Sequence, residues 1–106
     1  MSIKRLVKSL LQKSERGEKV GELTVDEVLN IVKNYFERYE RKKGSHIKVQ
    51  DQRLKKFKEH FPDDELFSLN GEFIIPTKGG KKVKQWYVKR LLEAIEIIQL
   101  MEQESE

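Results

Sequence analysis

Residues 36–50 read FERYERKKGSHIKVQ, and this stretch decides the fold. Gly44 marks a turn inside it, because glycine adopts turn conformations at no steric cost. After the turn, the apolar residues Ile47 and Val49 alternate with polar ones, which is typical of a strand with one buried face. The charged and aromatic segment 36–42 is its predicted partner. The stretch therefore predicts two antiparallel strands joined at Gly44.

Two helices are predicted before these strands. Ser2 can cap the first helix, whose apolar stripe either covers the protein's own core or docks a partner, and we favour the first alternative. The stripe comprises Ile3, Leu6, Val7, Leu10 and Leu11. Thr24 followed by Glu27 is a capping-box pattern that starts the second helix. We place its end near Asn34, although the aromatic residues that follow could continue the helix or begin a strand.

A third helix and a hairpin are predicted after the strands. Asp51 can cap this helix, and Pro62 ends it. Its apolar residues are Leu54, Phe57 and Phe61. The Asn-Gly pair at 70–71 favours a type I′ turn, so we predict strands over 66–69 and 72–75 on either side of it.

The rest of the chain predicts a loop and a long final helix. Residues 77–83 are rich in glycine and lysine, which indicates a loop. From Lys84 an apolar stripe at helical spacing runs toward Met101, and the acidic residues beyond it are predicted to fray. The stripe comprises Val88, Leu91, Leu92, Ile95 and Ile98.

These elements predict a single α+β domain. A chain of 106 residues with 37% hydrophobic content is long enough for one core and too short for two. We divide it into an N-terminal amphipathic helix and linker over 1–21, a main unit over 22–101 and an acidic tail over 102–106. Residues 51–65 lie between the predicted strands of the main unit and are called the inserted segment below.

The charges are unevenly distributed along the chain. Residues 38–58 hold nine Lys or Arg against two acids, and residues 78–90 hold six against none. The other 72 residues hold seven bases and sixteen acids, although the net charge of the whole chain is only +4. Such polarisation suits polyanion binding, with a set of solvated lysines as the alternative.

The composition also excludes several kinds of site. Without cysteine there can be no disulfide and no thiolate metal site, and the two histidines lack a matching ligand cluster. No cofactor is expected. The N-terminus lacks the apolar stretch of a signal peptide and no segment approaches transmembrane length, so we expect a cytoplasmic protein that does not contact membranes.

His46 is the strongest candidate for chemistry. Strand alternation puts it with Lys48 on the face opposite Ile47 and Val49, so its side chain should face solvent. An imidazole beside cations can act as general acid or base at a phosphodiester while lysines hold the phosphate, although an exposed strand histidine can also be incidental. The second histidine, His60, is assigned a structural role.

Two further groups could contact a polyanion. Gly79 and Gly80 lie among three lysines, where backbone N–H groups could approach a phosphate, with a flexible solvated loop as the alternative. Trp86 falls off the apolar stripe of the last helix, with Arg90 four residues later. It could stack on an unpaired base beside this cation, or pack against the inserted segment.

The order of these features resembles the HicA toxin family. The likeness covers about residues 22–100: the helix from Thr24, FERYERKKGSHI at 36–47, FIIP at 73–76, and a Lys/Gly loop that leads into an apolar helix. The fold that it implies is α-β-β-β-α and resembles a double-stranded-RNA-binding domain. In this fold helices cover one face of a three-stranded antiparallel sheet. This chain adds an N-terminal helix and an inserted helix.

This resemblance implies the toxin of a type II toxin–antitoxin system. Such a toxin is a metal-independent endoribonuclease that cleaves mRNA and is neutralised by a HicB-type antitoxin protein. His46 is then the catalytic residue. The residues expected to contact RNA are Lys42, Lys43, Ser45, Lys48, Lys78, Lys81, Lys82, Trp86 and Arg90.

Two other functions stay open. Where HicA proteins often carry a second histidine, this chain has Pro76-Thr77-Lys78. A nonenzymatic RNA-binding or DNA-binding module on the same fold is therefore the first alternative. The second is a protein-binding domain whose lysines only confer solubility. The sequence also leaves the oligomeric state open, a homo-oligomer included.

Overall fold

The computed structural model describes residues 2–42 and 46–104. Within these ranges the elements are α1 (Ile3–Glu15), β1 (Leu23–Thr24), α2 (Val25–Tyr35), β2 (Arg38–Lys42), β3 (His46–Gln50), α3 (Gln52–His60), β4 (Glu72–Pro76), β5 (Lys82–Val83) and α4 (Gln85–Glu104). The architecture is α+β, as predicted. None of the described helices is both long and apolar enough to cross a membrane.

Strands β2, β3 and β4 form one antiparallel sheet in that order. Tyr39 lies opposite Val49, which in turn lies opposite Phe73, so β3 is the central strand. The pair of strands predicted from residues 36–50 is confirmed. Strands β1 and β5 form a separate two-stranded pair, in which Leu23 lies opposite Val83.

One face of the three-stranded sheet belongs to the hydrophobic core. Ile47 and Val49 on β3 are fully buried, as are Ile75 and most of Phe73 on β4. Buried residues from all four helices join these side chains in a single cluster. The residues that alternate with them along the strands are exposed or partly exposed, so the sheet has a second face open to solvent.

Helix α1 packs on the protein's own core. The Ser2 hydroxyl accepts a hydrogen bond of 3.2 Å from the backbone N–H of Arg5, which is the predicted N-cap. Val7 and Leu10 are buried in the core cluster, and the other apolar residues of the stripe pack against it. The prediction that this stripe covers the protein's own core is confirmed.

The capping box of α2 forms as predicted. The Thr24 hydroxyl accepts a hydrogen bond of 3.1 Å from the backbone N–H of Glu27, and the Glu27 carboxylate accepts one of 3.0 Å from the N–H of Thr24. The helix ends at Tyr35, one residue beyond the predicted break. Phe36 is already extended, with φ −115° and ψ 155°, and it leads into β2.

The buried carboxylate of Asp51 connects the start of α3 with the residues between α2 and β2. Its side chain accepts hydrogen bonds from the backbone N–H groups of Glu37 at 3.0 Å and of Arg53 at 2.9 Å. It also accepts a bond of 2.7 Å from the Arg53 guanidinium, which donates in turn to the carbonyl of Tyr35 at 2.9 Å. The hydrogen bonds and charge of Asp51 raise the pKa of Arg53 above its ordinary value.

The predicted hairpin around Asn-Gly at 70–71 is wrong, because residues 66–69 do not form a strand. Instead, the N–H of Gly71 donates to the carbonyl of Ser68 at 3.0 Å in a turn that leads directly into β4. The physical reason is the burial of Phe67, whose ring lies 5.7 Å from that of Phe73 in the core. Strand β4 pairs with β3 instead.

Three smaller predictions are also corrected. Phe61 follows the last residue of α3 as its C-cap and is 56% exposed, and its ring packs on that of Phe57 at 4.8 Å. The segment 77–83 is partly a strand, because Lys82 and Val83 form β5 against β1. Helix α4 runs past Met101, and the Glu102 carboxylate there contacts the guanidinium of Arg53.

Candidate functional site

The solvent-facing side of the three-stranded sheet, called the open face below, holds the candidate residues His46, Lys42 and Lys48. Its side chains come from alternate positions of each strand and lie in cross-strand rows fixed by the register. The rows are Lys42–His46–Pro76, Glu40–Lys48–Ile74 and Arg38–Gln50–Glu72. Arginine, lysine and histidine side chains thus alternate with two carboxylates on this surface.

His46 begins β3 and is exposed on the open face, as strand alternation predicted. Lys42 lies directly opposite it on β2, and Pro76 lies opposite it on β4. His46, Lys42, Lys48 and Ile74 line a shallow depression of about 290 Å³. The structure therefore brings the candidate catalytic histidine together with two of the lysines expected to bind phosphate.

Each of these two lysines is paired with a carboxylate of the open face. The Lys48 ammonium lies 3.3 Å from the Glu72 carboxylate, and the two side chains are 33% and 25% exposed. The Lys42 ammonium lies 3.9 Å from the Glu40 carboxylate, where the exposures are 54% and 65%. Both pairs are solvent-accessible and screened, so a phosphate can compete with the carboxylates for the lysines.

An apolar side chain lies among these charges. Ile74 is 55% exposed, and it occupies the position opposite Lys48 between the buried residues Phe73 and Ile75. Because a half-exposed isoleucine leaves apolar surface in contact with water, a ligand with a flat apolar part can gain contact area here. The depression thus combines an imidazole, two ammonium groups and an apolar wall.

The glycines at 79 and 80 are the two central residues of a β-turn that runs from Lys78 to Lys81. Both have positive φ, 61° and 69°, and the N–H of Lys81 donates to the carbonyl of Lys78 at 3.2 Å. This geometry is a type I′ turn, which explains the glycines without a bound phosphate. The N–H of Lys78 donates to the carbonyl of Lys82 at 2.7 Å, so the turn closes a short hairpin.

This turn lies at the same end of the sheet as His46. Lys78 comes two residues after Pro76, the cross-strand partner of His46. The guanidinium of Arg41 on β2 also donates to the carbonyl of Gly80 at 3.4 Å. The exposed lysines 78, 81 and 82 thus belong to a hairpin beside the candidate site, although they do not line its depression.

Trp86 and Arg90 belong to a different part of the surface. The Arg90 guanidinium carbon lies 4.7 Å from the centre of the Trp86 ring, in a cation–π contact, and Trp86 is 59% exposed. They line a depression of about 280 Å³ together with Glu65, the last residue of the inserted segment, and Leu66. This depression shares no residue with that of His46, so the structure does not bring the two groups into one pocket.

The remaining candidates complete the comparison with the sequence. Lys43 and Ser45 lie outside the described residues. His60, to which we assigned a structural role, is exposed at the end of α3, where it lines a depression with Phe61 and Asp64. Among the residues that the structure describes, there is no group of three or more His, Cys, Asp or Glu side chains that could hold a metal ion.

Sequence reasoning missed Glu40 and Ile74. Their alternation with neighbouring residues is visible in the sequence, since Glu40 lies two positions before Lys42 and Ile74 lies between two core residues. Their proximity to His46 depends on the register between strands, which a single strand pattern does not contain.

Comparison with known proteins adds no relative: no family model, curated protein or solved structure matches this chain.

Proposed function

We propose that this protein is a ribonuclease toxin of the HicA type, which binds mRNA on the open face and cleaves it with His46. The observation that carries the proposal is the row formed by Lys42 and His46, with Lys48 beside it, in an exposed depression. Histidine is the side chain best suited to proton transfer near neutral pH, and ammonium groups stabilise charge on phosphate oxygens.

The order of the elements supports the proposal. Leaving out α1, α3 and the short β1–β5 pair, the chain runs α2, β2, β3, β4, α4 around an antiparallel sheet. This is the order expected for a fold resembling a double-stranded-RNA-binding domain. Helix α3 occupies the segment that the family resemblance treats as an insertion.

The chemistry that fits this site is cleavage by the RNA itself. The 2′-hydroxyl attacks the adjacent phosphorus, and the 5′-oxygen of the next nucleotide leaves, so that no metal ion is required. His46 transfers a proton to or from these oxygens. Lys42 and Lys48 exchange their carboxylate partners for the nonbridging phosphate oxygens, and Ile74 contacts the nucleoside.

Other basic groups extend the path of the RNA. Lysines 78, 81 and 82 continue the positive charge from the end of the sheet along the β5 hairpin. Trp86 with Arg90 forms a separate stacking position for an unpaired base. A HicB-type antitoxin is the protein partner that this function requires.

A nonenzymatic RNA-binding or DNA-binding module is the second candidate. His60 is exposed on α3 rather than on the open face, so among the described residues His46 is the one imidazole there. In such a module the lysines and Ile74 bind the nucleic acid, and His46 has no catalytic role.

The two candidates are separated by comparing an RNA oligonucleotide with DNA of the same sequence. Each is incubated with the purified protein in chelator at matched salt, and binding and cleavage are followed together. The ribonuclease proposal expects cleavage of RNA and none of DNA, because DNA lacks the attacking hydroxyl. Binding of either strand without cleavage would support the nonenzymatic module and overturn the nuclease.

A further inference from the structure

The cleavage proposed above requires two proton transfers. The 2′-hydroxyl loses a proton as its oxygen attacks phosphorus, and the leaving 5′-oxygen gains one. A single imidazole can serve one of these transfers at a time, so a second group beside His46 would allow both to occur in one step. The following inference rests on the proposed function and concerns the identity of that group.

Glu40 is the carboxylate of the open face placed closest to His46 by the register. It lies opposite Lys48 and two residues before Lys42, the cross-strand partner of His46. Glu40 and His46 are therefore diagonal neighbours on one face, a relation in which residues are about 7 to 8 Å apart. The two side chains line different depressions that share Lys48, and this spacing lets them approach one phosphate held by Lys48 from different sides.

The surroundings of Glu40 are basic and leave its side chain accessible. Lys48 faces it from β3, and Lys42 and Arg38 flank it on its own strand. Its side chain is 65% exposed, and its pair with Lys42, at 3.9 Å, is a weak surface contact. Since β2 is an edge strand, β3 is its only neighbouring strand among the described residues.

The other carboxylate of the open face, Glu72, fits this role less well. It lies in the row of Gln50, four residues before Pro76 on β4 and thus at the far end of the sheet from His46. Its closer contact with Lys48, at 3.3 Å, and its lower exposure of 25% also hold it in place.

We propose that Glu40 accepts the proton of the RNA 2′-hydroxyl while His46, as imidazolium, donates a proton to the leaving 5′-oxygen. The bond from the 2′-oxygen to phosphorus forms, and the bond from phosphorus to the 5′-oxygen breaks. The products are a 2′,3′-cyclic phosphate and a 5′-hydroxyl. One proton enters the protein at Glu40 and one leaves from His46, so the step is balanced.

The test compares Glu40→Gln with the wild type and with Glu72→Gln, a matched carboxylate-to-amide change on the same face. Single-turnover cleavage of an RNA oligonucleotide is measured across pH, with RNA binding measured separately. Catalysis by a general base together with a general acid gives a bell-shaped dependence of the rate on pH, whose acid limb reports the base.

Glu40→Gln should cleave about 10²-fold more slowly or worse, since positioned acid–base groups contribute roughly 10² to 10⁴. It should lose the acid limb of the profile while binding RNA as tightly as the wild type or more tightly. Glu72→Gln should keep the acid limb. Weaker RNA binding by Glu40→Gln would mean that Glu40 only positions Lys42, and would overturn the inference.

The outcomes separate the two proposals. If the wild type cleaves RNA and Glu40→Gln keeps both the rate and the acid limb, the assignment of Glu40 fails while the nuclease stands. If the wild type itself does not cleave RNA, the proposed function fails and this inference fails with it.

Discussion

Among single residues, Asp51 connects more of the structure than any sequence pattern indicated. It is 1% exposed and bonds to backbone groups at the start of β2 and of α3, as well as to Arg53. Sequence reasoning identified it only as a helix cap. Its burial and its hydrogen bonds to the backbone and to Arg53 make it a structural group, and its removal should affect stability alone.

We expect Asp51→Ala to lower the free energy of unfolding by about 3 to 5 kcal/mol, because it leaves the Arg53 guanidinium without its buried partner. The control is Glu102→Gln, which removes a carboxylate that is 58% exposed at the outer end of the same network. It should cost less than about 1 kcal/mol. Denaturant unfolding measures both changes, and equal losses would contradict the assignment.

Gly71 allows a second test at this scale. It has φ +72°, and a Cβ there would lie 2.5 Å from the backbone nitrogen of Lys55 and 2.6 Å from the carbonyl oxygen of Asp51. Gly17 has a similar φ of +74° with nothing within 4 Å. Gly17→Ala should therefore cost about 1 to 2 kcal/mol from the left-handed backbone alone.

Gly71→Ala should cost that amount plus about 1 to 3 kcal/mol for the collision with α3. Thermal unfolding of the two variants gives the comparison directly. A loss of stability in Gly71→Ala no greater than that in Gly17→Ala would show that α3 moves away without cost.

At the scale of elements, helices α1 and α4 bring three carboxylates together. Burial, followed by the charges of Glu15 and Glu93, raises the pKa of Glu96 above its ordinary value. The folded state therefore holds this proton more tightly than the unfolded state. The contribution of Glu96 to stability is fully present below the unfolded-state pKa and is lost as pH rises through the folded-state pKa.

Glu96→Gln should consequently raise the melting temperature at neutral pH and leave it unchanged at a pH below both pKa values. The gain in the free energy of unfolding should not exceed about 1 kcal/mol, because the Glu96 side chain is mostly exposed and its repulsions are screened. Melting curves of variant and wild type at the two pH values test this. A variant less stable than the wild type at neutral pH would contradict it.

The elements also show which parts of the fold the sequence could predict. The β2–β3 pair and the caps of α1, α2 and α3 follow from local patterns, alternation in one case and capping side chains in the others. The Asn-Gly hairpin failed because Phe67 gains more from burial in the core than the turn gains from strand pairing. Local propensity cannot weigh a contact between residues distant along the chain.

Some residues of the candidate site could likewise be predicted from local sequence patterns, and others could not. Strand alternation predicted the face of His46 and Lys48 correctly, because their phase follows from one strand, and Lys42 ends the strand predicted over 36–42. Glu40 and Ile74 required the register of three strands. Trp86 required the position of α4 relative to the sheet, which separates it from His46.

For the whole molecule, the distribution of charge predicts how RNA binding depends on salt. Each lysine that contacts phosphate releases counterions from the RNA. Its loss should therefore make the negative slope of log binding constant against log salt concentration shallower by about 0.7 for single-stranded RNA. Lys42→Ala should show this decrease. Lys33→Ala, which removes an exposed lysine on α2, should not. Equal slopes for both variants and the wild type would place the RNA elsewhere.

The most direct measurement of the central claim is RNA cleavage by the wild type, His46→Ala and His60→Ala. It is made under single-turnover conditions in chelator, with the protein concentration well above the dissociation constant of the protein–RNA complex. The account predicts that His46→Ala binds RNA but cleaves it about 10² to 10⁴ times more slowly, while His60→Ala resembles the wild type. Cleavage by His46→Ala at the wild-type rate, or binding by the wild type without any cleavage, would contradict it.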